Sequence, residues 1–575
     1  MGVIAMTRAI GAACVSASRR VSIWREVARP RPPPPSQNLA RCRASHRWVR
    51  WCAVPTHAEG APGPAESTTP ADEEHADRPS VPAALKPRKV LVIAGPTAVG
   101  KTRLSLSVAR ALGGEVVSAD SVQVFEGLDV GSSKLPEAER EGIKHHLLDI
   151  ADPRRDVGAG EFVEKAWAAM DDVLRRGKTP VVVGGTGMYL RWLIEGKPDT
   201  PPSSPEASAL ARATLRRVAG EAAAVAERAA RDALRPDEGG DDEGGSLDAA
   251  SLERVRLAGE LAGWRAAMRV LSEAGDATAA TRLARNDWYR AERALEVVTS
   301  TGKPVTEFGA PTQAKGREKK YDFVCVALSS PRLRLYRRID ARVEEMVRDG
   351  MLAESAAMLL SGIEPGSTPA SRAIGYRQTM DFLVEQSALS ALDDDDDDDD
   401  GTATGKKTRL CDHAAFLAYV EETQRATRAF AKRQFTWFRG EKEGQYVWLD
   451  TSRIPDASPD ALVRATLDLF ALGPPPMTTT TESPKKNDGD ARRDAATPRD
   501  RETRGDWDAE ALNRLAALTD VSRGATDHET ARELKRYAPR QTVFVDPAAS
   551  RRTRREVDAL AAKIRKAFLA SERER

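Results

Sequence analysis

Val90-Leu91-Val92-Ile93-Ala94-Gly95-Pro96-Thr97-Ala98-Val99-Gly100-Lys101-Thr102 is the stretch that decides the fold. Its first five residues form a continuous apolar run, which predicts a strand buried on both faces. The eight that follow fit G-x-x-x-x-G-K-[ST], the P-loop signature. The turn runs Gly95, Pro96, Thr97, Ala98, Val99 and Gly100, and its glycines let the chain bend so that the amide N–H groups it has, Pro96 offering none, converge on the oxygens of a di- or triphosphate. Lys101 then lies along the outer phosphates, and the Thr102 hydroxyl joins the shell of a magnesium ion. Leu104, Leu106, Val108, Ala109 and Leu112 recur at helical spacing, so a helix points its N-terminus at the anion. The motif leaves open which phosphate compound is held and what is done with it.

Outward from this unit, Val116 to Ser118, Pro180 to Val183 and Phe323 to Leu328 read as further strands with helical stretches between them. That alternation predicts an α/β fold: a P-loop NTPase-like parallel sheet with helices on both faces. Between Pro205 and Thr301 strand signals vanish, and the segment reads as an all-helical insertion. After Phe323 to Leu328 a single helix is expected from about Arg332 to Leu360. The organisation reads as an organelle transit peptide over 1–57, a disordered linker over 58–87, and the first part of a catalytic core over 88–204. The insertion covers 205–315, and the second part of the core 316–450, with an acidic loop over 385–410. A linker over 451–505 leads to a helical, basic tail over 506–575 with no assigned role.

The chain has 575 residues and a net charge of +2, but the charge is unevenly spread. Residues 1–57 hold ten arginines and one acidic residue, Glu26, the arginine-rich, acid-poor profile of plastid or mitochondrial import. Eight consecutive aspartates, Asp393 to Asp400, form a solvated loop because such charge density cannot pack. Three of the five cysteines lie before residue 58, and Cys325 and Cys411 are too isolated for a disulfide framework or zinc finger. No segment reaches the length needed to span a bilayer as a helix.

Four stretches give the P-loop its context. Asp120, just after the second strand, lies at the edge of the sheet where α/β proteins bind ligands. Its carboxylate serves a magnesium ion, a nucleophile's N–H, or the cap of the following turn. Val183 to Tyr189 ends a strand in glycines, where Thr186 offers a hydroxyl to a phosphate or simply closes a tight turn. Arg290 and Arg293 share a helix face beside Trp288 and Tyr289. That face suits a phosphate backbone and an unstacked base, or an internal Arg–Glu pair. Arg425, Arg428, Lys432 and Arg433 run into Phe435, Trp437 and Phe438, a pattern for single-stranded nucleic acid unless the aromatics are core.

At these residues the chain resembles the tRNA dimethylallyltransferases (tRNA isopentenyltransferases), from about Lys89 to Asp450. The resemblance is carried by Gly95 to Thr102, Ala119 to Val124, Gly131 to Lys134, His145 to Asp149, Val183 to Leu190, Arg293 to Val297, Ala373 to Gln378 and Lys432 to Arg439. It implies that dimethylallyl diphosphate, with magnesium, occupies the P-loop. The N6 amine of an adenosine beside the anticodon of tRNA attacks the allylic C1, and diphosphate leaves. Lys101 then stabilises the charge on the departing diphosphate, and by resemblance Arg342 also acts at the catalytic centre, Asp120 orients N6 and takes its proton, and Thr186 contacts tRNA near the reacting base. The implied tRNA contacts are Asp120, Ser121, Val122 and Gln123, Tyr289, Arg290 and Arg293, and Arg372, Tyr376 and Arg377. Lys432, Arg433, Gln434, Trp437 and Arg439 complete them, in an enzyme expected to act as a monomer. Where the family carries a further arginine this chain has Ser208, with Arg212 one turn on. An adenylate isopentenyltransferase shares the P-loop and the aspartate but needs neither the helical insertion nor the Lys432 to Arg439 segment. A P-loop kinase would need a base site and a lid with paired arginines.

Overall fold

A computed structural model describes residues 88–234, 248–308, 320–392, 410–453, 460–474 and 507–573. Residues 1–87, most of both acidic insertions and most of the 451–505 linker lie outside them. The six strands are β1 (Arg88–Ala94), β2 (Glu115–Ser118), β3 (His145–His146), β4 (Pro180–Gly184), β5 (Tyr321–Ser329) and β6 (Val447–Asp450). They form one parallel sheet in the order β3-β2-β4-β1-β5-β6. β1 is central and pairs with β5 over its whole length, from Arg88 opposite Tyr321 to Ala94 opposite Ala327. Its five apolar residues are completely buried, as a parallel strand covered on both faces requires.

The helices that concern the site, numbered as introduced here, are α1 (Lys101–Ala111), α2 (Ala159–Arg175) and α3 (Gly187–Glu195) in the first half. The insertion contributes α4 (Pro205–Ala233), α5 (Ala249–Glu273) and α6 (Trp288–Thr301). Ser204, Asp248 and Asp287 cap these three helices by accepting N–H bonds from Ala207, Ser251 and Arg290. Leu215, Trp264, Leu271, Leu295 and Val298 give the insertion a core of its own.

The second half carries α7 (Arg332–Met346), α8 (Leu352–Leu360), α9 (Tyr376–Leu392) and α10 (His413–Arg439). The single helix expected from Arg332 to Leu360 is interrupted by a π turn, Val347–Met351, where Gly350 takes φ 136°. A side chain is strained at that angle, so the break falls on a glycine. The edge strands β3 and β6 are additions to the sequence reading, two and four residues long respectively.

The tail is part of the folded body. Its first helix, α11 (Ala509–Leu518), puts Leu515 and Leu518 into the main core, and Asp520 donates its N–H to the Trp448 carbonyl at 2.8 Å. Its last, α12 (Pro547–Arg573), shares a second core with α8 and α10 through Val557 and Ile564, joined by Phe544.

Candidate active site

β1 ends at Ala94 and the chain turns sharply. Gly95 sits at φ 144°, and a Cβ there would lie 2.8 Å from the Leu328 carbonyl on β5. The turn therefore admits only glycine beside the neighbouring strand. Ala98 and Gly100 also have positive φ, and Gly100 opens α1. Lys101 folds back over this turn, its Nζ donating to the Gly95 and Pro96 carbonyls at 3.0 and 2.8 Å. Burial pushes the Lys101 ammonium down to about 8, with Asp120 opposing that shift and Arg342 adding to it.

Those three groups arrive from different parts of the fold. Asp120 follows β2, and its Oδ1 accepts the Val122 N–H at 2.9 Å, leaving Oδ2 without a hydrogen bond among the described residues. Arg342 comes from α7 and donates from Nε to the Ser133 hydroxyl at 2.9 Å. Desolvation lowers the arginine's pKa and the Asp120 charge offsets it. A lysine, an arginine and a carboxylate thus lie within electrostatic reach of one another, with Lys101 and Asp120 carried by the turns that follow β1 and β2, at the carboxyl edge of the sheet where ligands bind in this architecture.

The loop presenting Ser133 is held by a residue that belongs to no motif in the sequence. Glu354 of α8 accepts the N–H groups of Asp129, Val130 and Gly131 at 2.8, 2.7 and 3.0 Å, and the Tyr376 hydroxyl at 2.7 Å. Lys134 is buried under the same loop between Asp129 and Asp149 at 2.6 and 2.5 Å. Gln123 donates to the Ser132 and Ser133 carbonyls and accepts from the Ser118 hydroxyl.

Thr186 occupies the N-cap position of α3 and accepts the Ser121 N–H at 3.1 Å, so it ties the Asp120 loop to the β4 loop. Behind both, Gln434 accepts the Thr97 N–H at 2.9 Å and donates to the Gly185 carbonyl at 3.0 Å. A Cβ at Gly187 would run into the Trp437 indole, over which the Arg191 guanidinium lies at 4.4 Å.

Several residues assigned to RNA are inside. Tyr376 is 0 % exposed with its ring against Gly131, and Gln434 is buried with its amide spent on the two loops. Phe435 and Phe438 are core, and Arg428 is drawn into an ion pair with buried Asp340. The reason is helical period: each sits on the face of its helix that packs inward. Val122 and Gln123 are half-buried, and Arg377 is paired with Asp381 at 2.6 Å.

Other residues point outward. Lys432 and Arg433 are exposed and, with Arg191 and Trp437, line an open cleft of about 590 Å³. Tyr289 is 61 % exposed, within electrostatic reach of Arg293 and the exposed Arg372. Ser121 is exposed; Arg290 is exposed but paired with Asp287, and Arg293 is paired with Glu296 at 2.9 Å. Arg439 is half-exposed, and partial burial, then the charge of Arg332, lower its pKa. Arg212, one turn beyond Ser208, is engaged with Glu292 at 3.1 Å.

Among the described residues no three His, Cys, Asp or Glu side chains gather as a metal site. Thr102 is nevertheless exposed in the first turn of α1, beside the glycine-rich turn. One hydroxyl beside a cradle for phosphate oxygens suits magnesium, which takes few protein ligands and completes its shell from phosphates and water.

The central glycine-rich turn, the parallel sheet and the charged cluster at its carboxyl edge define a P-loop-like α/β protein. The chain belongs to the IPP transferase family, whose model matches residues 123–237 and 245–441, over half of the chain. It is 37% identical over 397 residues to tRNA dimethylallyltransferase 9 of Arabidopsis thaliana, an alignment covering 64% of this chain and 73% of that protein. It is 32% identical to the tRNA dimethylallyltransferase of Protochlamydia amoebophila, over 63% of this chain and 84% of that one. The full-length tRNA isopentenylpyrophosphate transferase of Bacillus halodurans superposes with a TM-score of 0.37 at 26% identity, over 67% and 94% of the two chains.

Proposed function

We propose that this chain transfers a dimethylallyl group from dimethylallyl diphosphate to N6 of the adenosine 3′ of the anticodon in tRNA, releasing diphosphate. The relatives' names support the reading, and one observation carries it: Lys101, on the glycine-rich turn, lies within electrostatic reach of both Asp120 and Arg342. Two cations beside the turn offset the charge that builds on a departing diphosphate. One carboxylate with a free oxygen takes a proton from the incoming amine. As the C1–O bond breaks, its electron pair stays with the diphosphate, the N6 lone pair forms the new bond to C1, and the N6 proton passes to Asp120.

Lys101 gives up its carbonyl partners to follow the phosphates. Gly95 to Thr102 cradle them, and Thr102 would help hold a magnesium ion, which would supply further positive charge against the leaving group. The RNA side of the reading rests on Ser121, Thr186, Tyr289, Arg290, Arg293, Arg372, Lys432, Arg433, Trp437 and Arg439. Basic groups there engage phosphates, and Tyr289 offers a stacking surface. Residues 1–57 fit an address to a plastid or mitochondrion, which their arginine content and the plant relative support.

The test offers the full chain labelled dimethylallyl diphosphate with an anticodon stem-loop, with AMP, and separately offers ATP alone. Label is expected in the RNA. Label in AMP but not in RNA overturns the acceptor, and ATP turnover without prenyl transfer overturns the reaction.

A further inference from the structure

We propose that the tail segment Tyr537 to Phe544 is a positioning strap for Arg342, acting from the far side of the helix that carries it. The proposal rests on the transfer reading above for the role of Arg342. The family match ends at residue 441, so the tail lies beyond it. Asp340 and Glu344 are one turn apart on α7 and both fully buried. Arg342 lies midway between them in sequence, so it projects from the opposite side of the helix, toward Ser133.

Burying two carboxylates on one helix face is costly unless each is partnered. The tail supplies much of that partnership. Thr542, Val543 and Phe544 donate three successive backbone N–H groups to Glu344 Oε2, at 2.9, 2.7 and 3.2 Å. Such a run of amides is an anion-binding nest. Tyr537 donates its hydroxyl to Asp340 Oδ2 at 2.5 Å, its ring edge-on to Tyr336 of the same helix at 5.7 Å. α10 contributes the remainder: Arg428 pairs with Asp340, and Gln424 donates to Glu344 at 3.2 Å.

Without the strap, Glu344 keeps only an uncharged amide, and Asp340 loses its tyrosine. α7 must then shift or hydrate to satisfy them, and the register of Arg342 against Asp120 and Lys101 moves with it. A catalytic arrangement tolerates such displacement poorly, since a misplacement of about 1 Å can cost about 100-fold. The strap residues touch none of the three charged groups at the site and so are positioning residues.

The experiment uses the full chain with Tyr537→Phe, Val543→Pro and the two combined, each also in an Arg342→Ala background. The combined variant should lower kcat by about tenfold or more, with KM for the RNA stem-loop within about twofold. In the Arg342→Ala background the same changes should alter kcat by less than about twofold, because the strap works through the missing side chain. Equal proportional losses in both backgrounds, or an effect confined to KM, would overturn the proposal. Tyr537→Phe keeps the ring and deletes one hydrogen bond, so it remains informative if the proline variant fails to fold. Hydrogen exchange of the α7 amides gives a readout independent of turnover: it should accelerate about tenfold in Tyr537→Phe, and unchanged exchange refutes the strap. A wild-type chain that transfers no prenyl group would instead sink the functional reading, leaving the exchange result to judge the strap alone.

Discussion

Asp120→Asn separates the chemistry proposed here from a structural role. Asparagine keeps the side-chain oxygen that accepts the Val122 N–H at 2.9 Å, so the turn after β2 should survive and the melting temperature should hardly move. What disappears is the basic oxygen and one negative charge facing Lys101 and Arg342. General-base assistance contributes about 10²–10⁴ in rate, or about 3–5 kcal/mol of barrier. The electrostatic consequence runs the other way for binding. With their carboxylate neutralised, the two cations attract diphosphate at least as strongly as before. Single-turnover transfer from labelled dimethylallyl diphosphate to a stem-loop should therefore slow by about 10²–10⁴, while diphosphate affinity holds or improves. RNA affinity should stay within a few-fold. A rate within about tenfold of wild type, or an affinity loss matching the rate loss, would refute Asp120 as the base.

Lys432→Ala with Arg433→Ala should flatten the salt dependence of RNA binding by about 1.4–1.8 in log–log slope, two phosphate contacts' worth. Filter binding from 50 to 300 mM salt measures it, and an unchanged slope removes both residues from the interface. Burial holds the free enzyme's Lys101 down to about 8, so its charged form is lost as pH rises through that value. Diphosphate binding should weaken from pH 7 to 9 and take up a proton near pH 8, read by calorimetry in buffers of different ionisation enthalpy; a flat profile contradicts this. Glu115, 2 % exposed, is held well below the usual carboxylate range chiefly by the bidentate Arg176, then by Lys178 and His146. Its folded pKa is depressed, so its contribution is present above about pH 4.5 and fades as the solution is acidified below that. Glu115→Gln should cost about 1.5–3 kcal/mol at pH 7, the range for hydrogen bonds to a charged group, since its partners Arg176 and Lys178 are exposed, and should flatten the acid limb of a denaturant series.

How far the molecule can be read from its sequence varies with the kind of signal. β1, β2, β4 and β5 announce themselves through β-branched runs, whereas His145–His146 and Val447–Asp450 are too short to show any period and become strands only by lying at the sheet's edges. Gly350 looks like any glycine inside a helical pattern until its φ is known. The P-loop residues and Asp120 stand out because motif and strand end coincide. Arg342 does not, since only the family resemblance separates it from its neighbouring arginines. Charge alone does not separate the two faces of the basic helix, where Lys432 and Arg433 are exposed. Ala431, Gln434, Phe435 and Phe438 fall at i, i+3, i+4 and i+7, the spacing of a buried face, and that face is where the structure places them. Glu354 left no trace in the sequence because its importance lies in which three amides it meets.

The pairing of β1 with β5 sets the order in which the protein can be assembled. Arg88 finds its partner at Tyr321, and Glu344 finds its three amides only at residues 542 to 544. During synthesis the glycine-rich turn emerges early, but one flank of its strand stays open until residue 321 has left the ribosome. Contacts so distant in sequence make folding slow and late. A chain cut short anywhere between the motif and residue 542 carries the phosphate signature in full yet lacks the amides that meet Glu344, so the signature precedes the last of these contacts by most of the length of the protein.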